Sequence, residues 1–143
     1  MDLDLDRFVR AQDPVFEQVR AELRAGRKSS HWMWFVFPQL AGLGRSETAR
    51  YYAIDSLDEA RAYLGHAVLG PRLRECADLL LAVEGGTAEG ILGPIDAMKL
   101  RSSMTLFLRA EPGEAAFGQV LGRYFGGVPD EATDALLRGA AAG

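Results

Sequence analysis

Residues 94–110 read PIDAMKLRSSMTLFLRA, and how that stretch folds decides the architecture of the chain. It follows a glycine, opens on a proline and holds no breaker. That is the pattern of a helix with Pro in its first turn. Its apolar residues (Ile95, Met98, Leu100, Met104, Leu106, Phe107, Leu108) point in every direction at about 100° per residue, so the helix is expected to be enclosed on most sides. The polar residues fall into two sets. Asp96, Lys99 and Ser103 lie close to one face, while Ser102, Thr105 and Arg109 share another. A buried lysine needs a partner. It is met by an Asp96–Lys99 contact with the hydroxyls bonded back to the preceding turn, or by an anionic ligand reached by Lys99, Arg101 or Ser103.

Outward from this helix the chain is punctuated by caps and glycines. Upstream, Thr87 caps a brief turn to Leu92, and Gly70-Pro71 opens a helix carrying Leu73, Cys76, Leu80 and Val83 on one face. Cys76 reads as an inert core thiol. Ser56-Leu57-Asp58-Glu59 matches a capping box, and Ser46 caps SETARYYAI. Nearer the start, Leu5, Phe8 and Val9 form a short amphipathic turn. Asp13-Pro14 reads as an N-cap and first helical residue for a stripe of Val15, Phe16, Val19 and Leu23 that Gly26 stops. Arg27 and Lys28 suit the negative end of that helix. Downstream, Phe117, Val120, Leu121, Tyr124 and Phe125 make an amphipathic helix ending at Gly126-Gly127. Asp130 caps a last short helix through Leu136 and Leu137, with fraying expected over 139–143. Period-two alternation is absent. The expected fold is all-α: one compact domain over 1–143, with six to eight short helices around a central apolar helix, not a regular bundle.

One stretch resists this scheme. Residues 28–46, KSSHWMWFVFPQLAGLGRS, gather both tryptophans, one of the two histidines and a Pro-Gln pair. The run shows no helical period and reads as a buried connector whose polar groups line a pocket. If it is extended, Trp32 and Trp34 face opposite ways, so one is free to stack on a ring. His31 is a side chain suited to general acid–base work or to a plain structural bond. Gln39 suits a ligand edge or a backbone bond. Gly42-Leu43-Gly44 before Ser46 is a weak phosphate-loop match, with Glu47 where a third glycine would stand. His66 reads as a helix-end cation or a second site histidine.

Composition sets the bounds. The 143 residues are 48% hydrophobic and 25% charged, ordinary for a globular chain. A net charge of −4 disfavours nucleic acid as a general partner. A single cysteine excludes an internal disulfide and a cysteine metal cage, and fits a reducing cytoplasm. No metal, cofactor or membrane attachment is expected, and the acidic N-terminus is no signal peptide.

Taken together, His31 to Gln39 (HWMWFVFPQ), Gly42-Leu43-Gly44-x-Ser46, Leu69-Gly70-Pro71-Arg72-Leu73 and Lys99 to Phe107 (KLRSSMTLF) resemble domain of unknown function family 1810. The resemblance runs from Leu5-Asp6-Arg7-Phe8 and Ala11-Gln12-Asp13-Pro14 to Asp130-x-x-Thr133. It implies a compact all-helical domain and carries no activity, substrate or catalytic residue. Members are sometimes loosely labelled calpastatin. That label implies an extended protease inhibitor, which this hydrophobic chain does not resemble.

The functional expectation is a small-molecule pocket for a phosphorylated or nucleotide-like ligand between the connector and the Lys99–Thr105 face. Trp32 or Trp34 would stack, and Lys99, Arg101, Ser102, Ser103, Thr105 and Ser46 would meet anion. Gln39 would read an edge, and His31 would move a proton if the reaction is hydrolytic. The rival is a non-enzymatic interaction module in which these residues are structural core.

Overall fold

The computed structural model describes residues 4–142, with side chains described through Gly139. Among the described residues ten helices follow in order: α1 (Asp6–Gln12), α2 (Phe16–Ala25), α3 (Met33–Val36), α4 (Glu47–Tyr51), α5 (Leu57–Gly65), α6 (Leu69–Ala82), α7 (Ala88–Leu92), α8 (Pro94–Ala110), α9 (Ala115–Phe125) and α10 (Glu131–Ala142). The fold is all-α, as the spacing predicts. Among the described residues the sheet-like pairing is one isolated parallel bridge between Leu40 and Ile54. None of these helices is long and apolar enough to cross a membrane.

The helix count exceeds the expected six to eight because several elements are single turns. One of them, α3, lies inside the connector, where no helical period is visible. It corrects the extended reading of Trp32 and Trp34. Trp32 precedes the turn and is 1% exposed, while Trp34 lies within it and is half-buried. At the other end α10 continues to Ala142, and Gly143 lies outside the described residues.

The central helix is α8, which packs against α5, α7, α9 and α10, while α6 packs against α2, α5 and α9. Leu100, Met104, Leu106 and Phe107 are fully buried. Each large side chain removed from water contributes roughly 1.5–3 kcal/mol. Enclosure on most sides holds only for the C-terminal two-thirds. At the N-terminal end Ile95 and Met98 stay 70% and 72% exposed.

Several caps form as the sequence dictates. Ser46 accepts from the Ala49 amide at 3.1 Å and Ser56 from the Glu59 amide at 3.1 Å. The Glu59 carboxylate departs from a reciprocal box. It accepts from the Asp55 amide at 2.7 Å and lies 3.6 Å from Arg7, so it ties α5 to α1. Asp13 does not cap α2, whose N-cap is Val15 without a side-chain bond. It pairs with Arg72 at 2.8 Å instead. Gly70 stands where a β-carbon would come within 2.1 Å of the Leu64 carbonyl oxygen, and this lets α6 start directly over the end of α5.

Two buried polar groups connect the elements. Gln12 donates to the Phe35 carbonyl at 2.7 Å and to the Tyr63 hydroxyl at 3.0 Å, joining α1, α3 and α5. Burial pushes the Tyr63 phenol and the Cys76 thiol well above their ordinary ranges, which leaves both neutral and inert.

Glu22 on α2 is 4% exposed and accepts from Ser29 N (2.7 Å), Ser30 N (3.0 Å), Ser30 Oγ (2.5 Å), Trp32 Nε1 (3.0 Å) and Gln18 Nε2 (2.9 Å). Burial alone would raise its pKa. The bonds from Ser30, Ser29, Gln18 and Trp32 outweigh burial and bring it down from 4.5 to about 2. A depressed carboxylate pKa stabilises the fold fully above the unfolded value and loses that contribution as pH falls toward the folded one. The difference corresponds to roughly 3 kcal/mol. Glu22→Gln is therefore expected to lower urea stability at pH 7 by about that amount, with the gap to wild type closing between pH 4.5 and 2. An equal gap at both ends of the window would show that no depressed carboxylate is present.

Candidate functional site

The connector leaves α2 at Gly26, a left-handed C-cap with φ 68°. Two residues later the Lys28 amide donates to the Ile91 carbonyl at 2.7 Å, which fixes the chain against the end of α7. The Lys28 side chain is only 8% exposed; its Nζ lies 2.8 Å from Asp96 Oδ2 and 5.1 Å from the centre of the Trp32 ring. Asp96 stands in the first turn of α8, a place that favours a carboxylate. Its other oxygen is 3.6 Å from Lys99 Nζ, and Lys99 sits 4.7 Å over the Trp34 ring. The connector and the first turns of α8 thus set a carboxylate between two ammonium groups, each with an indole beneath it.

These groups open to a cleft of 380 Å³ whose lining includes Lys28, His31, Trp34, Asp96 and Lys99. The exposed imidazole of His31 stands at its mouth. Ile95 and Lys99 also line a second cleft of 350 Å³, with Gln39, Leu43, Met98, Ser102 and Asp130. The two clefts therefore adjoin along one edge of α8.

The other candidates are engaged elsewhere. Trp32 is core, its indole bonded to Glu22. Ser46 caps α4. The glycines before it serve packing: a β-carbon on Gly44 would meet Ala49 Cβ at 2.4 Å, and Gly42 (φ 105°) lies against Leu136. Ser102 and Thr105 bond back to the carbonyls of Met98 (3.2 Å) and Arg101 (2.8 Å), as the structural reading has it. They also hold residue 130. The Ser102 hydroxyl hydrogen is shared between the Met98 carbonyl and Asp130 Oδ2 at 3.0 Å, and the Asp130 amide donates to Thr105 Oγ1 at 2.8 Å. Arg101 donates to the Val128 carbonyl at 2.8 Å, and Arg109 makes a two-pronged pair with Asp134 at 3.0 Å. This face of α8, read as a ligand face, binds the chain's own segment 128–134. The His66 ring nitrogen accepts from the Val68 amide at 3.1 Å between the end of α5 and the start of α6, and His66 lines neither of the clefts above.

Of the residues expected to gather, His31, Trp34 and Lys99 share the first cleft, and Gln39 and Ser102 line the second. Trp32, Ser46, Arg101, Ser103 and Thr105 line neither. The residue missed as a site group is Lys28. Its local pattern signals only a helix end, and its role appears when α7 and α8 return beside it.

An all-α domain with a small cationic cleft at the start of its central helix is the class of protein this arrangement defines. The chain belongs to the family described as "Protein of unknown function (DUF1810)", whose model matches residues 2–137. It is similar to the crystal structure of the conserved hypothetical protein Rv1873 from Mycobacterium tuberculosis, with 57% identity and a TM-score of 0.93. That likeness covers 94% of this chain and 96% of the other. No curated protein matches the chain.

Ser103 is fully buried and its hydroxyl has no hydrogen-bond partner among the described residues. Removing an unsatisfied group relieves a desolvation cost. Ser103→Ala is expected to leave urea stability unchanged or to raise it by up to about 1 kcal/mol. A loss larger than that would mean that the hydroxyl is bonded.

Proposed function

We propose that this protein binds a small phosphorylated or nucleotide-like molecule in the cleft at the start of α8. The supporting observation is the convergence of Lys28, Lys99, His31 and Trp34 on one concavity. Lys28 and Lys99 against Asp96 leave one net positive charge. A phosphate entering there replaces water on Lys99, while the shorter and more buried Lys28–Asp96 pair stays in place as a positioned base for it. Desolvation at a partly enclosed site strengthens that attraction relative to open solvent. Trp34 contributes mainly as a support, since the Lys99 ammonium already occupies one face of its ring.

If chemistry follows binding, His31 is the group to move the proton, with hydrolysis of a phosphoester or N-glycosidic bond as the reaction class to test. The second reading is a non-enzymatic interaction module. The exposed Ile95 and Met98 beside the cleft are the observation that favours it.

A thermal-shift screen of nucleotides and phosphorylated metabolites tests the binding reading. Lys99→Met is expected to change stability by less than about 1 kcal/mol, since its ion pair is long and partly exposed. The same change should weaken the best hit at least about tenfold, the scale of one charge-assisted contact. His31→Gln is expected to spare affinity and to slow turnover of any hydrolysed hit. Full affinity in both variants would sink the cleft and leave the interaction module.

A further inference from the structure

The second cleft differs from the first in charge and in lining. The first holds two lysines and a histidine around one carboxylate, whereas the second holds Asp130, with Lys99 only at the shared border. An anionic group is drawn to the first and repelled from the second. All three side-chain bonds to Asp130 fall on Oδ2, from Ser102 Oγ (3.0 Å), Thr133 N (3.1 Å) and Thr133 Oγ1 (2.6 Å). Oδ1 is left as the acceptor available to a ligand. Gln39 brings a side-chain amide to the same cleft, while its backbone carbonyl is spent on the Ile54 amide at 2.9 Å. The cleft's apolar lining includes Leu43 on the connector side and Ile95 and Met98 on α8.

We infer that the ligand is an adenine nucleotide lying across both clefts, its phosphate in the first and its base in the second. This rests on the binding reading above. An amide pairs with adenine through two bonds, donating to N7 and accepting from N6, and Gln39 supplies that pair. The second N6 hydrogen goes to Asp130 Oδ1. The ring packs between Leu43 and the side chains of Ile95 and Met98. That contact accounts for two large apolar residues left 70% and 72% exposed on the central helix. An acyl chain would cover the same apolar atoms but leave the carboxylate and the amide without partners, which is costly. Joined, clefts of 380 and 350 Å³ fall well inside the range usual for small-molecule sites, roughly 300–1,000 Å³.

Calorimetric titration of the full chain with AMP, the 5′-phosphate of purine riboside (which lacks only the amine) and ribose 5-phosphate tests the assignment. AMP is expected to bind at least about tenfold more tightly than either of the other two, the scale of discrimination for one good bidentate pair. Gln39→Ala should weaken AMP at least about tenfold, the loss of one bidentate pair, and leave ribose 5-phosphate unchanged. Its circular-dichroism melt should match wild type, because the Gln39 backbone bond is kept. Equal binding of all three compounds, or an unaltered AMP affinity in Gln39→Ala, would overturn the base cleft and leave the phosphate cleft standing. Binding of none of them would overturn both.

Discussion

The buried carboxylate of Glu22 is the constraint on which the site depends. A chain leaving a helix through a left-handed glycine has many ways to go. Here the amides of Ser29 and Ser30, the Ser30 hydroxyl and the Trp32 indole all converge on one acceptor. An ionised carboxylate in a nearly dry place is tolerated only when it is fully bonded. Glu22 therefore dictates the path of four consecutive residues as much as they satisfy it. The result is a short arc that delivers Lys28 to Asp96, tucks Trp32 inward and leaves Trp34, two residues on, under Lys99.

The second constraint is the division of α8 into faces. Its C-terminal two-thirds are enclosed by α5, α9 and α10. Ser102, Thr105 and its two arginines are consumed in holding residues 128–134, through bonds to Val128, Asp130 and Asp134. The C-terminal helix is thus pinned at several points, and what it pins is also the wall of the second cleft, because Asp130 and Ala132 line it.

The helical class, most caps and the central position of α8 were legible because they rest on local spacing and hydrogen-bond chemistry. The single turn α3 was not. Met33 to Val36 is a run of apolar residues with no polar face, so periodicity carries no information there. The polar residues of α8 showed which side chains share a face but not what would face them. Ser102, Thr105 and Arg109 were grouped correctly, yet their partner is a segment some twenty-five residues on. Glu22 was hidden for the opposite reason. On a helical wheel it is one more charge among solvent-facing ones, and only the return of the connector buries it. Long-range closure decides the first case. In the second the partners Ser29, Ser30 and Trp32 are near in sequence, but the turn at Gly26 that brings them back leaves no periodic signal.

The position of the cleft follows from how the central helix is covered. A helix this long has to be roofed by several short elements, and the covering elements turn away near its start. The α7–α8 junction at Gly93, with φ 87°, sends the chain sharply into α8 and keeps α7 from extending over the first turns. The connector passes on one side and residues 130–132 on the other. Between them the first two turns of α8 are left open, with the helix's positive end, a carboxylate and two lysines in view. An opening of this kind would be a liability if it were only apolar. Its charged lining and its exposed Ile95 and Met98 are the two features on which the proposed binding of a molecule with an anionic end and a flat apolar body rests.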